Sequence, residues 1–137
     1  MIYKKSWKYI LTHAYGSYYR PKALKNFLNI KRGRLGGLVY GYHNLSQSGK
    51  CWVYFNAKIY EYAVVSGNAI ISEYSKVFGK ACVSGNAKVC RNAEVSENAN
   101  VTGNAIISEN AYVYGDTKVS GYAVIENRIL IEGIYQE

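Results

Sequence analysis

Acidic residues are missing from the first fifty positions of this 137-residue chain. That segment holds seven lysines and three arginines, so it carries a formal charge of +10, whereas residues 51–137 hold seven basic and nine acidic groups and carry −2. Positive charge confined to one part of a chain indicates a partner that is acidic or polyanionic. We therefore expect the first fifty residues to contain the contact surface.

Cysteines and long apolar runs are also scarce. Cys51, Cys82 and Cys90 are odd in number and show no CxxC spacing, which argues against a disulfide framework or a zinc site and fits a reducing compartment. No run approaches the roughly 18 apolar residues of a membrane span, and the N-terminus lacks the apolar stretch of a secretory signal. We expect a cytoplasmic protein without membrane contact, metal or cofactor.

A six-residue repeat fills most of the remaining chain. A small residue, usually alanine, recurs every six positions from Ala57 to Ala123, and a branched aliphatic follows each one two residues later, from Ile59 to Ile125. Residues two apart on a strand point to the same side. Glycine or a polar residue, often followed by asparagine, then turns the chain, because both accept positive φ. The repeat predicts strands that coil with the alanines and branched aliphatics inside.

A longer period gives the number of sides of each coil. Glycine recurs at positions 49, 67, 85, 103 and 121, an interval of eighteen residues or three hexads, which predicts a triangular coil. The expected fold is therefore an all-β, single-stranded parallel β-helix over residues 45–137, with a short basic, aromatic-rich cap over residues 1–44. Within the cap, Leu24, Phe27 and Leu28, with Pro21 before them and Gly33 after them, fit a short helix.

These hexads resemble those of left-handed parallel β-helix proteins, the fold of the hexapeptide acyltransferases. A closer resemblance is to small phage and prophage β-helix proteins labelled as transferases, and it rests on the segments Lys22–Phe27, Lys31–Gly37, Asn44–Ser46 and Gly49–Tyr54. The likeness covers roughly residues 20–127. It implies left-handed coils, which periodicity alone does not determine, short strands in the cap, and a phage-encoded protein in a bacterial cytoplasm. Where the family carries acidic residues, this chain has Asn26 and Arg34.

Catalysis is not expected despite the acyltransferase-like repeat. Those enzymes need a histidine base to deprotonate the acceptor, and residues 51–137 contain no histidine. His13 and His43 lie outside the regular repeat. Glu73 and Glu109 share a column with Arg91 between them, which indicates a charge ladder rather than a catalytic carboxylate pair.

The outward positions supply candidate contact residues. Tyr60 and Phe78 belong to a largely aromatic column flanked by lysines, which is either a ladder that stiffens the sheet or a contact surface. The basic segment also interleaves lysine and arginine with aromatic residues. The candidate partner-binding residues are Trp7, Arg20, Lys22, Lys31, Arg32, Arg34, Lys58, Tyr60, Lys76 and Phe78.

Three interpretations of the basic segment stay open. Tyrosine and arginine could anchor an acidic protein or nucleoprotein surface. Lysine and aromatic rings could instead hold nucleic acid or a nucleotide, by phosphate neutralisation and stacking. The segment could also be a cap that is basic without having a partner.

The C-terminal residues break the repeat. The hexad count gives Leu130 and Ile134 positions that are polar in earlier coils, and Ile129 and Ile131 lie beside them. The last coil of a solenoid also exposes an unpaired backbone edge. We expect self-association through these four residues, most simply as a two-fold dimer.

The sequence thus predicts a non-catalytic binding protein that acts sterically on a host partner. The resemblance and the charge favour an immune complex of the CRISPR type or a nucleic-acid-handling complex as that partner. The alternatives are an acyltransferase-like enzyme with a site between subunits at His13 or His43, a nucleotide-binding or sequestering module, and a structural component of a virion.

Overall fold

The hexads form short strands that turn at every sixth residue. In the computed structural model, which describes residues 6–137, positive φ recurs every six residues from Glu61 to Gly133. Two residues after most of these turns a small side chain points inward, and a valine or isoleucine points inward two residues later. Each side of the coil is therefore one hexad long, as the repeat predicts, and ends at a turn of positive φ.

Stacked coils give three sheets. The first face is an eight-stranded sheet of β1 (Tyr9–Tyr15), β2 (Tyr18–Ala23), β3 (Leu38–Val39), β5 (Lys58–Ile59), β8 (Lys76–Val77), β11 (Glu94–Val95), β14 (Tyr112–Val113) and β17 (Ile129–Leu130). The second face contains β4 (Trp52–Val53), β7 (Ile70–Ile71), β10 (Lys88–Val89), β13 (Ile106–Ser108) and β16 (Val124–Glu126). The third contains β6 (Val64–Val65), β9 (Cys82–Val83), β12 (Asn100–Val101), β15 (Lys118–Ser120) and β18 (Ile134–Gln136). All pairing from β3 to β18 is parallel.

This arrangement is a parallel β-solenoid of about six coils, which confirms the predicted architecture. The inward alanines, valines and isoleucines between positions 57 and 119 are at most 1% exposed. A buried valine or isoleucine contributes about 1.5–3 kcal/mol. Where Ser75 replaces alanine, its hydroxyl donates to the carbonyls of Ser72 at 2.7 Å and Val89 at 3.1 Å, so the polar group is satisfied inside the core.

The cap is built of strands. β1 and β2 form an antiparallel hairpin, and Tyr19 of β2 pairs with Val39 of β3, so the hairpin continues the first face. Residues 24–28 form no helix; Phe27 and Ile30 pair across a tight turn instead. The helical content of residues 6–137 is a 3-10 turn, Tyr42–Asn44, and none of these residues forms a helix of the length and apolarity that a bilayer crossing requires.

Parallel pairing begins before the regular repeat does. Val39 pairs with Ile59, twenty residues on, whereas Ile59 pairs with Val77, eighteen on. The two extra residues fall between Leu45 and Val53. In that longer side the Gln47 side-chain oxygen accepts hydrogen bonds from the backbone N–H groups of Lys8 at 2.7 Å and Tyr9 at 3.1 Å. The insertion therefore provides the residue that binds the start of the hairpin to the coil.

Buried side chains close the first coil. The Lys8 ammonium donates to the Cys51 carbonyl at 2.6 Å and approaches the Cys51 thiol at 3.3 Å, and burial lowers the pKa of Lys8. The Tyr9 hydroxyl donates to the Leu45 carbonyl, and its ring meets Trp52 edge-on at 6.3 Å. The interior of the solenoid is thereby covered at this end.

The last coil is contracted. Val113 pairs with Leu130, seventeen residues on, and Val119 pairs with Tyr135, sixteen on. Leu130 is consequently inward and 4% exposed, instead of outward as the hexad count predicts. The reason is a missing residue after the turn at Asn127, whose φ is 53°. The three remaining interface candidates, Ile129, Ile131 and Ile134, are 64%, 54% and 71% exposed.

Candidate binding surfaces

A row of aromatic rings crosses the first face. Tyr18 meets Tyr40 at 5.2 Å between ring centroids, Tyr40 meets Tyr60 at 5.8 Å, and Tyr60 stacks on Phe78 at 4.9 Å with an interplanar angle of 6°. Tyr18 also reaches Tyr60 at 6.3 Å. We call these four residues the aromatic ladder.

The hairpin is what completes the ladder. β2 carries Tyr18 and joins the edge of β3, immediately before Tyr40, so both rings line up with Tyr60 and Phe78. The eighteen-residue period found Tyr60 and Phe78 but missed Tyr18 and Tyr40. Tyr40 precedes Tyr60 by twenty residues, so only recognition of the two-residue insertion between Leu45 and Val53 could have revealed it.

Lysines flank the ladder. The Lys58 ammonium lies 5.4 Å from the centroid of the Tyr18 ring, within cation–π range. Lys58 pairs with Lys76 in the neighbouring strand, and Lys76 with Glu94 beyond it. Burial, and then the proximity of Tyr18, raise the pKa of Tyr60 to about 12. Tyr60 therefore stays protonated at neutral pH.

Arg20 is occupied by the fold. Its guanidinium donates from Nη1 to the carbonyls of Gly36 at 2.9 Å and Phe55 at 2.8 Å, and it lies 3.7 Å from the Phe55 ring centroid. These contacts attach β2 to the corner between the first and second faces. Lys22, two residues on, is exposed and pairs through its backbone with Leu35.

Three further candidates lie on a different side of the molecule. Residues 24–36, which we call the arm, pack over the second face, where Phe27 meets Trp52 at 5.3 Å. The arm carries the exposed side chains of Lys31, Arg32 and Arg34. Trp7 lies 5.7 Å from Tyr42 at the capped end and lines a pocket with Lys25 and Phe27 of the arm. The ten candidates are therefore divided between the first face and the arm with the neighbouring capped end, and they do not form a single patch.

Between the arm and the second face runs a groove of about 750 Å³. It is lined by Leu28, Asn29, Lys50, Tyr54, Asn68, Ile70, Ser72, Asn86 and Lys88. Asn68 donates to the Asn86 side-chain oxygen at 3.2 Å, and Tyr54 donates to Asn29 at 2.7 Å. We call it the amide groove. The eighteen-residue interval between Asn68 and Asn86 is visible in the sequence, but the wall that Leu28 and Asn29 provide is not, because the arm reaches this face only in the folded chain.

Both histidines contact backbone carbonyls. His13 Nε2 lies 3.0 Å from the Gly16 oxygen, and His43 Nε2 lies 2.8 Å from the Glu61 oxygen. Within residues 6–137, no three histidine, cysteine or acidic side chains gather as a metal site requires. The predicted charge ladder is confirmed: Arg91 lies 3.6 Å from Glu73 and 3.7 Å from Glu109 on an exposed corner.

Comparison with known proteins gives no assignment, since no protein-family model matches the chain and no curated protein matches it significantly.

Proposed function

We propose that this protein is a non-catalytic binding module that binds an acidic protein or nucleoprotein surface. The aromatic ladder and Lys58 and Lys76 would contact it on one side of the corner, and the basic arm on the other. The observation that carries this proposal is that the hairpin sets Tyr18, and β3 sets Tyr40, beside Tyr60 and Phe78. Without it, the basic cap and the aromatic column would be separate features.

The physical argument combines rigidity with charge. Each ladder ring is packed against another, so little side-chain freedom is lost when a partner covers it. Aromatic residues and arginine are the side chains that contribute most to interface energy. The excess positive charge attracts an acidic partner over a distance of about 8 Å at physiological salt.

We further propose a phage-encoded protein that acts on a host immune complex of the CRISPR type or on a nucleic-acid-handling complex. The support is the resemblance of the segments between Lys22 and Tyr54 to phage β-helix proteins, together with the charge. The mechanism would be steric, with the solenoid as an inflexible block. Absence of catalysis is part of the proposal, and the backbone contacts of His13 and His43 favour it.

A capture experiment tests the proposal. The immobilised protein is exposed to bacterial lysate beside three variants: Lys58→Glu with Lys76→Glu, Arg32→Glu with Arg34→Glu, and Lys118→Glu on the third face as control. We expect a stoichiometric partner that wild type and the control retain, that both double variants lose, and that elevated salt releases. Equal retention by all four proteins would overturn the proposal.

Single-stranded nucleic acid is the second candidate, since Lys58 over the Tyr18 ring is an arrangement that bases and phosphates can use. Titration with labelled oligonucleotides at two salt concentrations distinguishes it. Micromolar binding that Phe78→Ser and Lys58→Glu both weaken would favour nucleic acid over an acidic protein.

Self-association is a separate proposal. Ile129 on the first face, Ile134 on the third face and Ile131 between them are all exposed in the last coil, and exposed aliphatic surface marks interfaces. We propose that a second copy covers them in a two-fold dimer. Leu130 is buried and would stabilise the last coil without contacting the second copy.

A further inference from the structure

The amide groove has an unbalanced charge. Two lysines and three asparagines line it, and no carboxylate does. Among residues 6–137, neither Lys50 nor Lys88 has an acidic group within ion-pair distance, and Glu73, which follows Ser72 of the groove, is paired with Arg91 at 3.6 Å. A groove with two unneutralised ammonium groups favours an anionic occupant.

The groove also offers an apolar contact at a strained position. Leu28 has φ of 51°, a conformation rare for a bulky residue, yet its side chain is 53% exposed. The turn is held by reciprocal backbone hydrogen bonds between Phe27 and Ile30 at 3.0 and 2.8 Å. Strain of this kind costs on the order of 1–3 kcal/mol and concentrates at functional sites. Leu28 and Ile70 are the aliphatic groups lining the groove.

Side-chain amide groups line the edge of the groove that runs from Lys50 to Asn86. Asn68 accepts the Lys50 backbone N–H at 3.1 Å and donates to Asn86 at 3.2 Å. No residue between 6 and 137 accepts from the Asn86 side-chain amide. From Lys50 to Asn86 the edge spans two coil spacings, about 10 Å, which matches roughly three residues of extended peptide.

We propose that the amide groove binds an extended acidic peptide segment. Its carboxylates lie between Lys50 and Lys88, its backbone amides meet Asn68 and Asn86, and one aliphatic side chain packs between Leu28 and Ile70. This inference rests on the proposed function, in that the segment belongs to the acidic partner, and it specifies how one strand of that partner is held.

The groove fits a peptide better than a nucleic acid. Stacking of bases requires an open ring face, whereas the one ring lining the groove, Tyr54, is half-buried and bonded to Asn29. The rings available for stacking lie on the first face instead. Side-chain amides, two cations and an aliphatic cleft match the donors, acceptors and alternating side chains of an extended acidic chain.

The probe is a short fluorescent peptide of alternating aspartate and leucine, with a counterpart in which lysine replaces aspartate. We expect the acidic peptide alone to bind, and the Asn68 and Asn86 side-chain amide signals to shift in NMR spectra. Lys50→Glu with Lys88→Glu should weaken binding by about tenfold or more, while Lys118→Glu leaves it unchanged. Lack of binding, or equal loss in the Lys118 variant, overturns the proposal, as does preferential binding of an oligonucleotide in the groove.

Leu28→Asn separates binding from folding. Asparagine accepts the left-handed conformation, so the melting temperature should hold or rise while peptide affinity falls severalfold. Unchanged affinity would contradict the role of Leu28. If the Lys50 and Lys88 variant still captures the lysate partner while the Lys58 and Lys76 variant does not, the groove inference fails and the proposed function stands.

Discussion

At the scale of single residues, a position's neighbours decide what the same backbone conformation costs. The positive-φ turns of the solenoid hold glycine at some coils and glutamate, arginine or asparagine at others. The room for a side chain differs among the glycines at positive φ. A Cβ at Gly85 would lie 2.9 Å from the Gly103 nitrogen, whereas one at Gly16, also at positive φ, would meet nothing within 4 Å.

Alanine substitution should separate these two costs. Gly16→Ala introduces only the left-handed strain, about 1–2 kcal/mol. Gly85→Ala adds a backbone clash inside the stacked corner, a further roughly 1–3 kcal/mol. Urea denaturation should therefore show a larger loss in the free energy of unfolding for Gly85→Ala. Equal losses would mean that the backbone around Gly103 moves aside for the added methyl group at no cost in free energy.

The pKa of Tyr60 predicts a pH effect on stability. The folded-state pKa is raised to about 12, from the ordinary value near 10. Between these pH values the unfolded chain loses a proton that the folded protein keeps, so the free energy of unfolding falls as pH rises. Tyr60→Phe should fall less steeply over that window in urea titrations. The same slope in both proteins would show that Tyr60 ionises freely on the folded ladder.

At the scale of elements, the cap and the solenoid differ in how the sequence encodes them. Between Trp52 and Ile125 each hexad pairs with the hexad eighteen residues on, so composition and spacing suffice to place Tyr60 and Phe78 in one column. The hairpin has no such period. Its position depends on Gln47, which exchanges hydrogen bonds with the backbone of Lys8 and Tyr9.

Gln47→Ala should detach the hairpin while leaving the solenoid intact. Three hydrogen bonds between 2.7 and 3.1 Å are removed, and the backbone groups of Lys8 and Tyr9 lose their partner. Hydrogen exchange should accelerate at the backbone amides of Tyr9–Ala23, while the amides of Lys76–Val113 should stay protected. Uniform acceleration in both segments would show that cap and coils unfold together.

At the scale of the whole molecule, contraction of the last coil changes which of the four terminal aliphatics face outward. A strict hexad count places Ile129 and Ile131 inward and Leu130 and Ile134 outward, whereas in the structure Leu130 is buried and the three isoleucines are exposed. This division predicts which substitutions affect assembly and which affect folding.

Ile129→Asp with Ile134→Asp should convert the proposed dimer into a monomer at an unchanged melting temperature, because both side chains are outward and exposed. Sedimentation equilibrium measures the mass. Tyr62→Asp, at a corner residue that is 74% exposed, is the control and should stay dimeric. A wild-type protein that is monomeric at high micromolar concentration, or that forms open-ended assemblies, would rule out a discrete dimer.

The sequence alone determined the solenoid, its three sides and its interior, because each of these follows from side-chain alternation and a constant period. It also found half of the aromatic ladder and the charge ladder of Glu73, Arg91 and Glu109. Only the tertiary structure decided that the hairpin extends the first face, that the arm walls a groove on the second, and that Leu130 points inward. These features join residues at irregular separations, whose register is set by contacts that exist only after the coils have stacked.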